Sequence, residues 1–217
     1  MTKTMRFSGM LVVMLGLAAL SCAGQMSGPD QGASPAATRG RGLAGHFDLA
    51  LNYTYKEAKI ASESNSGFGL RGGSADGVFW FRGAPNIGLA FDVSGESSNN
   101  TQTNLRLSQI SVVGGPRFNI LHGRGGTGWP SVYVQELAGF VHAYDSVFPI
   151  LGSVPAQVTS SANGFAFQTG GGVNIPLKGN LGWRVGEVDY ILTNLPNGTN
   201  GYQGDIRVSG GITFHFR

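Results

Sequence analysis

The sequence predicts an all-β chain: an eight-stranded antiparallel up-and-down transmembrane β-barrel, preceded by a signal peptide and a flexible linker. Three observations carry this prediction. The alternating segments run roughly nine to fifteen residues, where soluble strands average five or six and a tilted bilayer strand needs about nine to eleven. The segments between them alternate long and short, the pattern of a barrel with long outer loops and short periplasmic turns. The aromatic residues gather near the strand ends, where the two membrane interfaces would lie.

Composition fits the same class. Of 217 residues, charged types make up only 12%, and 36 are glycine. The usual shares are about 25% and about 7%. Mean hydropathy is +0.00, so apolar and polar residues are interleaved rather than segregated. Lys3 and Arg6 precede the apolar run FSGMLVVMLGLAAL and the small residues SCAGQ, the layout of a signal peptide over residues 1–23. The run is too short for a transmembrane helix. Without Lys3 and Arg6, 13 bases face 12 acids, and no basic stripe is present that would track a nucleic-acid backbone.

The one cysteine, Cys22, falls at the cleavage zone, so no disulfide forms within one chain. ALSC resembles a lipidation box with Ala19 where leucine is usual. Cys22 is therefore a candidate lipidation site, beside the preferred reading of ordinary cleavage after Ala23 or Gly24. Residues 24–44 are rich in Gly, Ala, Ser and Pro and read as a linker. The barrel is expected over 45–217.

The first strand, HFDLALNYTY, sets Phe47, Leu49, Leu51, Tyr53 and Tyr55 against His46, Asp48, Ala50, Asn52 and Thr54. The second, about 68–82, sets Ala75, Gly77, Phe79 and Phe81 outward with Ser74, Asp76 and Trp80 opposite. The third sets Ile87, Leu89, Phe91 and Val93 against Asp92, Ser94 and Glu96. The fourth, about 105–119, turns Ile110, Val112, Pro116 and Phe118 outward and Ser111, Arg117 and Asn119 inward. The fifth, about 130–143, is read with Tyr133, Leu137 and Val141 outward and Glu136, Ala138 and His142 inward; Gln135 interrupts that outer face. The sixth sets Phe165, Phe167, Val173 and Ile175 against Ala166, Gln168 and Asn174. The seventh, about 182–192, sets Val188, Tyr190 and Leu192 against Glu187 and Asp189. The last, RVSGGITFHFR, sets Val208, Ile212, Phe214 and Phe216 against Arg207, Ser209, Thr213 and His215.

Long polar segments follow the first, third, fifth and seventh strands, and RGAPN and PLKGN are tight turns after the second and sixth. The predicted aromatic girdle is Phe47, Tyr53, Phe81, Phe118, Trp129, Tyr133, Phe165, Trp183, Tyr190, Phe214 and Phe216. In hydrocarbon every backbone polar group must pair within the protein, so such a sheet closes on itself. Its apolar face then meets lipid and its polar face a lumen that eight strands leave just wide enough for side chains.

GGPRFN, FQTGGGVNIPL, VDYILTN and RVSGGITFHF resemble segments of bacterial outer-membrane β-barrel proteins of the OmpA-like transmembrane type, most closely the barrels of Acidobacteria-like genomes. The resemblance covers about residues 45–217. It implies a bacterial outer-membrane location with both barrel ends periplasmic. Such barrels usually end in an aromatic residue; here Phe216 is penultimate and Arg217 last.

The inward positions predict a lumen charge network of Asp48, Asp92, Glu96, Arg117, Glu136, His142, Glu187, Asp189, Arg207 and His215. Charges in a narrow interior are costly unless paired, so a salt-bridge network is expected, with a gated ion path as the alternative. Catalysis is not expected. His142, with Asp145 and Ser146 in HAYDS, is the one grouping that invites an enzymatic reading, and its spacing matches no nucleophile motif. No HxH, HExxH or CxxC occurs, and neither metal nor cofactor is expected. The expected role is a structural or surface-interaction barrel in contact with outer-membrane lipid. An extracellular partner would bind through the outer loops, chiefly about 142–163. The alternatives are a small low-conductance pore and a lipid-modifying enzyme.

Overall fold

The computed structural model describes residues 44–59, 67–100, 105–121, 130–149, 158–196 and 201–216. They form eight strands: β1 (Ala44–Lys59), β2 (Gly67–Phe81), β3 (Ala84–Asn100), β4 (Leu105–Leu121), β5 (Ser131–Pro149), β6 (Val158–Pro176), β7 (Leu181–Thr193) and β8 (Gln203–Phe216). Each pairs with the next and the barrel is closed. The closing pair, β1 with β8, is antiparallel from Phe47↔Phe216 to Glu57↔Ile206. The expected signal peptide and the linker up to residue 43, with Cys22, lie outside the described residues, as does Trp129, while Ala44 already belongs to β1.

The side chains divide as the alternation requires. On β3, Ile87, Leu89, Phe91 and Val93 are exposed, while Ala90, Asp92, Ser94 and Glu96 are buried. Exposed apolar side chains continue around the barrel through Leu51, Val112, Phe140, Val188 and Ile212. An exterior this apolar is incompatible with water and fits hydrocarbon. At the end that carries the β2–β3 and β6–β7 turns, the Phe47 ring packs 6.0 Å from both Phe79 and Phe216, an aromatic edge for the interface.

Most strands are longer than their alternation alone predicts, the eight running 13 to 19 residues, while β2 has the expected length of 15. β5 and β6 stay paired from Ser131↔Asn174 to Pro149↔Val158, so most of the segment expected as a loop, 142–163, is strand. β4 accompanies β5 only as far as Tyr144, and β7 meets β6 only from Ala166 onward. The far end of the β5–β6 hairpin therefore projects beyond its neighbours.

The phase of β5 corrects the sequence reading. Tyr133, Gln135, Leu137 and Val141 face the lumen, and Val134, Glu136, Ala138, Phe140 and His142 face outward. Both faces of this strand are apolar, so alternation gives little contrast; Gln135 is the residue that fixes the phase, because its amide needs partners that hydrocarbon lacks. The inward residues join an apolar cluster of Val113, Leu137, Val141, Ala143, Phe148, Ala166 and Leu195 that fills part of the interior.

Candidate functional site: a charge-locked lumen

β2 and β3 place Asp76 directly beside Asp92, two carboxylates on one inward face. Neighbouring acids repel unless cations reach them, and three guanidiniums do so from the other strands. Arg117 of β4 grips Asp76 with both terminal nitrogens, Nη1 to Oδ1 at 2.9 Å and Nη2 to Oδ2 at 2.5 Å. Arg184 of β7 donates to Asp76 Oδ1 at 3.1 Å and to Glu187 Oε2 at 3.0 Å. Arg207 of β8 donates to Asp92 Oδ1 at 3.1 Å and to Asp189 Oδ2 at 3.1 Å. These three arginines are at most 1% exposed.

Neutral groups complete the lattice. Gln135 accepts from Arg117 and donates to Asp189 at 3.0 Å, which ties the Arg117 cluster to the Arg207 cluster. Tyr133 donates its hydroxyl to Glu187, while its ring lies 4.2 Å from the Arg117 guanidinium and 5.2 Å from that of Arg184. One residue thus supplies a hydrogen bond and two cation–π contacts. Asn174 accepts from Arg184 Nε at 3.1 Å. Toward the outer end, Lys56 pairs with Glu96 at 2.9 Å and donates to Gln109. At the opposite mouth, Asp48 accepts from Trp80 Nε1 at 2.7 Å and meets His215 Nδ1 at 2.7 Å.

Two glycines make room for this lattice. A Cβ on Gly170 would stand 2.3 Å from both Asp189 Oδ1 and the Val188 carbonyl oxygen, and one on Gly172 would stand 2.6 Å from the Tyr133 hydroxyl. The glycine run of β6 is where the lumen polar groups need the space of absent side chains.

Of the sequence-predicted network, the structure brings together Asp92, Glu96, Arg117, Glu187, Asp189 and Arg207, with Asp48 and His215 at the mouth. Glu136 and His142 are not members, because the phase of β5 turns both outward. Tyr133, expected in the aromatic girdle, is 1% exposed inside the lumen. Phe47, Tyr53, Phe81, Phe118, Phe165, Trp183, Tyr190, Phe214 and Phe216 do lie on the outward face. The unpredicted members are Lys56, Asp76, Tyr133, Gln135 and Arg184. The three residues of HAYDS do not assemble: His142 meets Asn163 Oδ1 at 2.6 Å, while Asp145 accepts from Ser108 at 3.3 Å. Among the described residues no group of three or more His, Cys, Asp or Glu is placed to hold a metal ion.

Tyr133→Phe keeps the ring and deletes the hydroxyl, so it isolates the bond to Glu187. It is expected to lower barrel stability by about 1–2 kcal/mol, measured by urea unfolding in detergent. An unchanged midpoint would show that the hydroxyl contributes nothing.

No protein-family model and no curated protein matches the chain. Solved structures do. Ail, the attachment invasion locus protein of Yersinia pestis, superposes with a TM-score of 0.51 at 17% identity, over 79% of this chain and 100% of Ail. This is the fold of a bacterial outer-membrane barrel. Neisserial surface protein A, at 12% identity, superposes with a TM-score of 0.51 over 77% of this chain and 96% of its own. Ail has also been crystallised in complex with the heparin analogue sucrose octasulfate. With its closed sheet and apolar exterior, the chain is an outer-membrane protein that crosses the bilayer by strands.

Proposed function

We propose that the chain is a non-catalytic surface-interaction barrel, exported by its signal peptide, with a charge-locked lumen and its working surface at the outer end. The projecting β5–β6 hairpin carries this reading. Near its tip Val147 is 70% exposed and Val158 is 64% exposed, beyond the last pairings with β4 and β7. Apolar side chains held on a hairpin that extends past its neighbours suit contact with another surface.

The hairpin tip fits a weakly charged partner, and the exposed cations toward this end, Arg71 and Arg106, stand on β2 and β4 rather than on the hairpin. The segments 60–66, 101–104, 150–157 and 197–200, which join the strands at the outer end, contain no Lys or Arg. Ail, seen with a sulfated sugar, offers an attachment precedent, but a polyanion finds little cationic complement in these segments. An apolar or hydroxyl-rich surface fits better.

The pore alternative has one observation behind it. Among the described residues, the buried lumen charges are six acids (Asp76, Asp92, Glu96, Glu187, Asp189, Asp205) against four bases (Lys56, Arg117, Arg184, Arg207). An open lumen of this composition would favour cations. Three guanidiniums spanning the interior argue against an open path. Planar-bilayer recordings are expected to stay silent; regular cation-selective steps would support the pore instead.

The hairpin reading is tested by retention of cells displaying the chain on octyl-derivatised beads. Val147→Asp and Val158→Asp together are expected to reduce retention roughly tenfold or more, from the loss of apolar contact. Unchanged retention, with normal surface level, would remove the hairpin from the account.

A further inference from the structure

The lipid face of β5 carries a charge that the lumen does not explain. Its outward residues in order are Val132, Val134, Glu136, Ala138 and Phe140, so Glu136 has two apolar residues below it and two above. Five residues from the strand start, at about 3.4 Å each and a tilt near 45°, put it about 12 Å up a band about 25 Å tall. The other charges described as outward on the strands, Glu57, Arg71, Arg106 and Asp145, lie toward the outer ends, and Arg82 and Lys178 lie in the turns at the opposite end. Glu136 makes no ion pair among the described residues. A carboxylate at mid-depth in hydrocarbon is unfavourable without a donor, and ionisable residues kept there mark contact sites.

Glu136 sits beside Thr169 in the β5–β6 register, between Val134↔Gly171 and Ala138↔Phe167, and Gly114 of β4 lies beside Ala138 on the other side. Bulky apolar side chains surround Glu136, Val112, Phe140 and Phe165 on β4 to β6 and Phe91, Val188 and Ile212 on the other strands. At this point the exterior has an acceptor and a hydroxyl donor side by side, with the small residues Gly114, Ala138 and Gly171 next to them.

We propose that this face is the contact between two copies of the chain. Two barrels inserted the same way are related by a two-fold axis along the membrane normal, so each residue meets groups at its own depth. With the axis between Glu136 and Thr169, the Thr169 hydroxyl of each copy donates to the Glu136 carboxylate of the other. The two bonds are reciprocal and shield both carboxylates from lipid. Gly114, Ala138 and Gly171 leave room next to the pair, as small residues do between membrane helices, and Phe140 and Phe165 supply apolar contact above it. No cation is required; among the described residues the outward cations on the strands, Arg71 and Arg106, lie toward the outer ends.

The test is oxidative cross-linking in intact outer membranes. Ala138→Cys is expected to give a disulfide-linked dimer at twice the chain mass. Leu51→Cys, on the far side of the barrel, should give no more than the background from the parent chain and its Cys22. In the Ala138→Cys background, Glu136→Leu and Thr169→Val should each reduce the dimer roughly tenfold, because each removes both symmetric bonds. Thr169→Val keeps the carboxylate, so it separates an interface from a merely lipid-exposed acid. Cross-linking of Ala138→Cys no stronger than that of Leu51→Cys would overturn the proposal. So would a product containing a different protein, or a dimer that neither substitution weakens.

Discussion

Arg117→Ala is expected to destabilise the barrel by about 3–5 kcal/mol, the range for removing one partner of a buried ion pair. The substitution deletes the two-pronged grip on Asp76, the bond to Gln135 and the stacking over Tyr133 at once. Arg184 alone then holds Asp76, through one bond of 3.1 Å, with Asp92 still beside it. The cavity left by a large, fully buried side chain adds to the loss. Urea unfolding of the chain folded into lipid vesicles, followed by gel mobility without heating, measures it. Arg117→Lys should recover part of the stability, since it restores the charge without the planar fork. A loss below about 1 kcal/mol for the alanine variant would mean that the lattice is not what holds the lumen together.

Gly170→Val should be nearly as damaging by a different route. A Cβ at 2.3 Å from a neighbouring strand's carbonyl oxygen cannot be relieved by rotating a side chain. β6 must move away from β7, which disturbs the pairs around Gly170↔Asp189 and displaces the Asp189 carboxylate from Arg207. The expected loss is about 3 kcal/mol, the upper end for overpacking, with a lower yield of heat-modifiable barrel. Asp189→Ala in the same chain relieves only the side-chain part of the clash, so it should not restore wild-type stability. Full rescue would show that the backbone contact is unimportant.

These residues also show what was legible before folding. Strands β1, β3 and β8 announce their faces because apolar and polar residues alternate cleanly, and loop order then fixes a barrel. β5 does not announce its phase. Leu137 and Val141 on one face and Val134 and Phe140 on the other are equally greasy, since this side of the lumen is apolar. Arg184 is hidden for a geometric reason. The β7–β8 pairing shifts between Arg184 and Glu187, so Val185 and Gly186 together occupy one step and both charged residues point inward. Strict alternation back from Glu187 would have turned Arg184 toward lipid; a bulge is what prevents that. Lys56 reads as the start of a polar loop because the charged sequence KEAK gives no sign that β1 continues to Lys59. The partners of Asp76 were not legible at all, because Arg117 and Arg184 reach it from strands 41 and 108 residues away.

The most direct test of the account is the gel mobility of the chain from separated cell fractions, with and without boiling. A closed outer-membrane barrel predicts that the mature chain stays in the outer-membrane fraction and runs as a compact band that shifts when boiled. A mature chain found dissolved in the periplasm, with one mobility under both conditions, would contradict it and return the apolar face to a water-soluble interior.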